Sequence, residues 1–253
     1  MKLGLKGKKA IVTGGATGLG KQFVLALARE GVQVAFTFYS EKEHPEKTQK
    51  QVKDETGLES FPFKADLSQE EQVRFFFSNA VEKLGQVDIL INNAGIWLTG
   101  HVDDIKVKDW DLTFATNLRA PFLLTQEFIK DANAKHHGGH IVNVTSQAAY
   151  YGSTTGHSHY AASKAGLIAF AASAAREQAK KGINIINICI GIMHTRMIQA
   201  NLDKDQDYYV DRIPMGRVVE PEEIAKMGTL FASDVYSYMT GATVDITGGM
   251  LMH

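Results

Sequence analysis

The 253-residue sequence predicts an α/β fold, one domain built on an open, doubly wound parallel sheet of seven strands with helices on both faces. Three observations predict it. Short runs rich in β-branched and aromatic residues alternate with longer segments of helical spacing. Several of the short runs, Ile89-Leu90-Ile91 and Ile141-Val142-Asn143-Val144 among them, are apolar at consecutive positions, as strands covered on both sides require. A glycine-rich stretch follows the first strand and leads into a helical pattern, the place where such sheets receive dinucleotides.

Strands are expected over residues 9–13, 32–38, 60–64, 87–92, 140–145, 184–190 and 243–246. Crossover helices are expected over 21–29, 45–55, 69–83, 120–132, 161–180 and 221–231. No repeat, low-complexity tract or linker divides the chain, so residues 1–253 read as a single dinucleotide-binding and catalytic domain. The segment 193–217 breaks the rhythm, with the polar run Asn201-Leu202-Asp203-Lys204-Asp205-Gln206-Asp207 at its middle. A long loop above such a sheet is expected to cover substrate.

Composition narrows the function. Lys plus Arg number 27 against 28 Asp plus Glu, with no basic block, so the electrostatic footprint of a nucleic-acid or anionic-membrane binder is missing and a small-molecule substrate is expected. No window reaches the apolar length of a membrane span and the first residues lack a signal-peptide pattern, which points to the cytoplasm. The single cysteine, Cys189, lies in the apolar run 185–190 and reads as core filling. The nine histidines, His136-His137 included, form no cluster with metal-ligand spacing, so no metal is expected.

The glycine-rich stretch is Thr13-Gly14-Gly15-Ala16-Thr17-Gly18-Leu19-Gly20. Glycine serves there because a Cβ would block the approach of a pyrophosphate to the backbone, while the helix start offers oriented N–H donors. Its T-G-x-x-x-G-x-G spacing differs from the G-x-G-x-x-G of long-chain dehydrogenases and resembles the short-chain dehydrogenase/reductase family. Asn92-Asn93-Ala94-Gly95 is similar to that family's N-N-A-G, Asn117 follows at the expected distance, and Val144-Thr145-Ser146 precedes Tyr160-Ala161-Ala162-Ser163-Lys164, a Y-x-x-x-K. The resemblance covers nearly the whole chain. It implies a Rossmann fold, hydride transfer between NAD(P)(H) and a ketone or secondary alcohol, and a homotetramer packed through the helices 120–132 and 161–180, although the alanine-rich face of the latter could equally pack within the chain.

Tyr160 and Lys164 stand four residues apart and share one helix face. A phenol is a reluctant proton partner near neutrality, and a neighbouring ammonium is expected to lower its pKa. Ser146, at a strand end, can donate to the substrate oxygen. By resemblance Lys164 also holds the nicotinamide ribose and Asn117 completes the catalytic set through a water path. Ser146 lies one position further from Tyr160 than is common in the family, which reads as an insertion within 147–159.

For the cofactor, Gly14, Thr17, Gly18, Leu19 and Gly20 are expected on the pyrophosphate, with Asn93, Ala94 and Gly95 beside them. The resemblance adds Asp66 and Leu67 at the adenine, and Gly191, Ile192 and Thr195 at the carboxamide, where Ile190 replaces the family's proline. No acidic residue accompanies Phe38, Tyr39 and Ser40 at the end of the second strand, which removes the barrier to a ribose phosphate and favours NADP(H) weakly over NAD(H). Trp97, His101, Gln147, Tyr150, His157, Met193 and the segment from Met197 onward are the substrate candidates, with Tyr151 and His159 in the same loop as Tyr150 and His157. They suit a sugar or polyol, a small diketone or a 3-oxoacyl group, and the near-neutral charge favours a free polar molecule over an acidic carrier protein. The rival from another class is a non-catalytic dinucleotide sensor on the same fold, which would have no need of Asn117, Ser146, Tyr160 and Lys164 together.

Overall fold

The computed structural model describes residues 2–152 and 156–252, except for the side chains of residues 196, 197, 200 and 201. Its centre is one sheet of seven parallel strands in the order β3-β2-β1-β4-β5-β6-β7. The strands are β1 (Lys9–Val12), β2 (Gln33–Phe38), β3 (Ser60–Lys64), β4 (Ile89–Asn92), β5 (Gly139–Ser146), β6 (Ile183–Ile190) and β7 (Thr243–Ile246). The helices are α1 (Gly18–Arg29), α2 (Pro45–Thr56), α3 (Glu70–Leu84), α4 (Val107–Phe114), α5 (Ala120–Ala134), α6 (Ala148–Tyr151), α7 (Ser158–Gln178), α8 (Arg196–Lys204), α9 (Gln206–Val210) and α10 (Pro221–Phe231).

The expected strands and long helices are all present, with ends shifted by no more than a few residues. Consecutive strand residues face opposite cores. Ala10 and Val12 join one apolar layer and Ile11 the other, and Ile89 and Ile91 are divided from Leu90 in the same way. Phe23 and Leu27 of α1 with Ile224 and Phe231 of α10 cover the first face. Phe76 of α3, Leu124 and Phe128 of α5 and Ala171, Ala174 and Ala175 of α7 cover the second. Burying each large apolar side chain contributes about 1.5–3 kcal/mol, so both faces need their helices. Cys189 is fully buried in β6, and burial, with Asp245 next in effect, pushes its thiol up to about 12, as suits core filling. No helix among the described residues is long and apolar enough to cross a membrane.

The segment expected to be a loop over 193–217 is instead folded as α8 and α9. Its base is pinned where Met193 pairs with Val219, through His194 N–H to the Val219 carbonyl at 3.0 Å. Leu202 and Ile213 are buried beneath it. The helices escaped prediction because both are short and the polar run 203–207 divides them. α4 is likewise only eight residues long, and its apolar positions Val107 and Trp110 are exposed, with only Thr113 buried. Residues 153–155, within the stretch expected to hold an insertion, lie outside the described residues.

Polar side chains also cross the sheet. Asn92 donates to Asn143 at 2.9 Å, Asn143 to Asn187 at 3.0 Å, and Asn187 to Thr243 at 3.2 Å, tying β4, β5, β6 and β7 in one buried row. Asn143 is the central member, so Asn143→Ala strands the Asn92 amide and the Asn187 carbonyl away from water. It is expected to cost about 2–4 kcal/mol in urea unfolding, and an unchanged midpoint would show that the row carries no net stability.

Candidate active site

Strand order reverses between β1 and β4, and the two connections there leave in opposite directions, opening a crevice at the carboxyl ends of the strands. Thr13 holds the walls of the crevice at their separation. Its Oγ1 accepts from Asn93 N–H and Ala94 N–H, each at 2.9 Å, while Asn93 Nδ2 donates to the Thr13 carbonyl at 2.8 Å. Gly18 adopts φ +53 and a Cβ there would meet nothing, so its backbone is bare towards the cleft. A Cβ on Gly20 would fall on the Gly14 carbonyl oxygen and come within 2.6 Å of Asn93 Nδ2, so this position must stay glycine for α1 to pack. Thr17 makes no side-chain cap on α1, which leaves first-turn N–H groups for a ligand.

The resulting cleft has a volume of about 600 Å³. Of the expected cofactor residues, it is lined by the whole glycine set, Gly14, Thr17, Gly18, Leu19 and Gly20, by Phe38, Tyr39, Asp66 and Leu67, and by Asn93, Ala94, Gly95 and Thr195. Tyr160 and Lys164 close its inner end. Ser40 does not line it, and Gly191 and Ile192 line the neighbouring cavity instead. Glu43, which the sequence reading missed, does line it. Such a surface fits a nicotinamide dinucleotide: bare backbone and a helix start for the pyrophosphate, carboxylates where ribose hydroxyls would lie, and a lysine at the far end.

The reacting groups come from three elements. β5 ends at Ser146, whose hydroxyl accepts from Ala148 N–H at 3.2 Å. Tyr160 and Lys164 rise from the first turns of α7. Lys164 is 4% exposed, its Nζ donating to the Val144 carbonyl at 2.8 Å and lying 5.8 Å from the Tyr160 ring centre. Asn117 sits in the single π-turn, Ala115–Arg119, that joins α4 to α5. Its side chain donates to the Ile96 carbonyl at 2.9 Å and to Ser163 Oγ at 3.2 Å, and accepts from Ile96 N–H at 2.8 Å. It is buried behind Gly95, where a Cβ would lie 3.3 Å from Asn117 Oδ1 and 3.5 Å from Lys164 Nζ.

Electrostatics correct one expectation. The Tyr160 phenol is pushed up, not down, because burial disfavours the phenolate more than the nearby Ser146 hydroxyl helps it. Lys164 is itself pushed down to about 8 by burial, so it is a weakened cation in this cleft. The protonated phenol is therefore the resting state.

A second cavity of about 620 Å³ adjoins Ser146 and Tyr160. Trp97, Gln147, His157 and Met193 line it as expected, but His101 and Tyr150 do not. Tyr151 takes the place expected of Tyr150, and its hydroxyl donates to the Met250 carbonyl at 2.5 Å. His159 is buried at 1% exposure and does not line it. The His157 ring stacks on Trp97 at 4.2 Å and its Nδ1 meets the Leu98 carbonyl at 3.1 Å. Burial lowers its pKa. The folded segment adds Ile198, Tyr208, Tyr209 and Arg212, while the side chain of Met197 lies outside the described residues. Arg212 stands 5.0 Å from the Tyr208 ring centre and donates to the Tyr208 hydroxyl at 2.6 Å.

A nucleotide-shaped crevice at the switch point, ending on a buried lysine and a phenol that keeps its proton, defines a dinucleotide-dependent oxidoreductase. The chain is similar to known proteins along nearly its whole length. Residues 14–251 match the family described as Enoyl-(Acyl carrier protein) reductase. A 3-oxoacyl-[acyl-carrier-protein] reductase of Staphylococcus epidermidis is 34% identical over 245 residues, 97% of this chain and 99% of that protein. One from Thermotoga maritima is 34% identical over 250 residues, 98% of this chain and 99% of that protein. Among solved structures, a dehydrogenase/reductase from Sinorhizobium meliloti has a TM-score of 0.92 at 31% identity, covering 99% of this chain and 98% of that one. A blue fluorescent protein from a metagenomic library, in complex with NADPH, has a TM-score of 0.88 at 31% identity, covering 98% of this chain and 99% of that one. The chain belongs to the short-chain dehydrogenase/reductase family and is an oxidoreductase that uses a nicotinamide dinucleotide on a carbonyl or alcohol.

The lysine leaves a measurable mark. Its folded pKa of about 8 lies below the ordinary 10.5, so between these values the unfolded chain binds more protons and stability rises with pH. Relative to Lys164→Met, the parent is expected to gain up to about 3 kcal/mol across that window in urea unfolding. A pH-independent difference would mean that the ammonium is not desolvated.

Proposed function

We propose that this chain reduces the oxo group of a 3-oxoacyl thioester to the 3-hydroxyacyl product, with Tyr160 as the proton donor. The observation that carries the reading is the character of the cavity beside Tyr160. Its walls are aromatic and aliphatic, from Trp97, Ile192, Met193, Ile198, Tyr209 and Met250. Its polar groups are mainly hydroxyls, from Thr99, Thr195 and the tyrosines, with one amide, Gln147, and among the described residues it contains no carboxylate to accept from the vicinal hydroxyls of a sugar or polyol. The names of the bacterial relatives favour the same substrate. The polar free molecule favoured from composition thus gives way to an acyl chain.

When bound in the cleft, the nicotinamide would supply the hydride. Ser146 donates a hydrogen bond to the carbonyl oxygen and fixes it beside the phenol. Tyr160 then delivers its proton to that oxygen, a transfer downhill from phenol to alkoxide. The upward shift of the phenol keeps the donor loaded, which suits reduction better than oxidation. Lys164 would hold the ribose end of the cofactor and replenish the proton, with Asn117 fixing the backbone at Ile96 behind it. The segment carrying α8 and α9 covers the acyl group. Arg212, the only charged side chain among the described lining residues, would receive a phosphate borne by the thioester arm. Phe122 of α5 and Ala162 and Ala169 of α7 are exposed in the single chain and would pack in a homotetramer, whereas Ala161, Ala171, Ala174 and Ala175 of α7 are buried within it.

Nicotinamide absorbance should fall with an acetoacetyl thioester and stay level with sugars and polyols. Turnover of polyols alone would overturn the substrate assignment, and binding of dinucleotide without any turnover would make the chain a sensor. Tyr160→Phe is expected to lower kcat by about 10²–10⁴-fold while cofactor affinity, read by calorimetry, holds within a few-fold. Undiminished turnover in that variant removes Tyr160 from the chemistry.

A further inference from the structure

The backbone leaving β2 bends into a short 3-10 turn, residues Glu41–Glu43, and brings Glu43 back over the strand end. Its Oε1 accepts from Tyr39 N–H at 3.1 Å and from Ser40 N–H at 2.9 Å. The Ser40 side chain in turn caps this turn, so the carboxylate is held from both sides of a capping box. Glu43 is half-buried and lines the dinucleotide cleft with Thr17, Gly18, Phe38 and Tyr39. In a doubly wound sheet this is where the adenosine ribose lies, and NADP differs from NAD only by a phosphate on its 2′ oxygen.

We propose that Glu43 makes this chain select NAD(H) and reject NADP(H), reversing the preference drawn from the absence of an acidic residue at positions 38–40. The inference rests on the dinucleotide reading of the cleft. A 2′-phosphate needs donors and positive potential. Here the two N–H groups at the end of β2 already serve a carboxylate, which would also repel the added charge. Asp66 contributes a second carboxylate to the same end of the cleft. Among the described lining residues the only cationic side chain is Lys164, at the opposite end. The nearest surface lysines offer no counterweight: Lys42 is exposed and does not line the cleft, and Lys64 pairs with Glu41 at 3.3 Å. A ribose 2′-hydroxyl, in contrast, can donate to Glu43 while the capping box stays intact.

Calorimetric titration of the intact chain tests this without turnover. NADH is expected to bind about 100-fold more tightly than NADPH, and 5′-AMP more tightly than 2′,5′-ADP. Glu43→Gln keeps an acceptor oxygen for the turn and removes the charge. It should raise NADPH affinity about tenfold and weaken NADH by no more than a few-fold. NADPH binding as tight as NADH in the parent, or an unchanged ratio in folded Glu43→Gln, overturns the inference. Binding of neither dinucleotide overturns the reading of the cleft on which it rests.

Discussion

The fold depends on how β1 and β4 part company. Up to Val12 and Ile91 the two strands pair in parallel, and beyond that point their chains must diverge without exposing backbone donors to an apolar interior. Thr13 resolves this with one hydroxyl that accepts from two consecutive N–H groups and one carbonyl that accepts from the Asn93 amide. The crevice is the space left by that divergence. Because it opens at the carboxyl ends of parallel strands, residues at or near those ends, Gly14, Phe38, Ala65, Asn93, Val144 and Ile190, line the same volume. Fold and site are thus one constraint, and the glycines at positions 18 and 20 are what it demands of the first helix.

Much of this was legible in the sequence because it is periodic or spaced. Consecutive buried residues such as Ile89-Leu90-Ile91 mark a strand covered on both faces, and Tyr160 and Lys164 at one helical turn mark a shared face. What escaped was set by tertiary contact. Glu43 lies five residues past Phe38 in the chain yet returns to the strand end through a capping box, a distance that reading residue by residue along β2 does not bridge. The signal was present as Ser40 followed three positions later by Glu43, the pattern of a helix start. Tyr151 rather than Tyr150 lines the second cavity because α6 rotates the pair, and no periodic signal exists in a helix of four residues. α8 and α9 are short and divided by the polar run 203–207, so the apolar spacing of Ile198 and Leu202 ends within one turn.

The electrostatics also follow from burial more than from pairing. A spacing of one turn between Tyr160 and Lys164 suggests a cation that acidifies a phenol. In the folded chain both groups are driven towards their neutral forms, since each loses water and the ammonium finds one carbonyl in return. A phenol that keeps its proton is an acid in waiting, and the direction of chemistry it favours is the delivery of that proton.

The two cavities differ in how they treat negative charge, and the difference is itself an argument about order of binding. The cofactor end carries Glu43 and Asp66, while the substrate mouth carries Arg212, aligned on Tyr208 by a hydrogen bond and by its ring face. Under the proposed reading, an anionic substrate arm would be repelled from the first and attracted to the second, and so would approach over α9 and away from the adenosine end of the cleft. Tyr160, Ile190, Met193 and Thr195 line both cavities, and Ser146 stands just inside the second, so a carbonyl reaching Ser146 would lie beside the cofactor cleft. Charge asymmetry between the two adjoining cavities would then do the sorting that shape alone, at nearly equal volumes, does not.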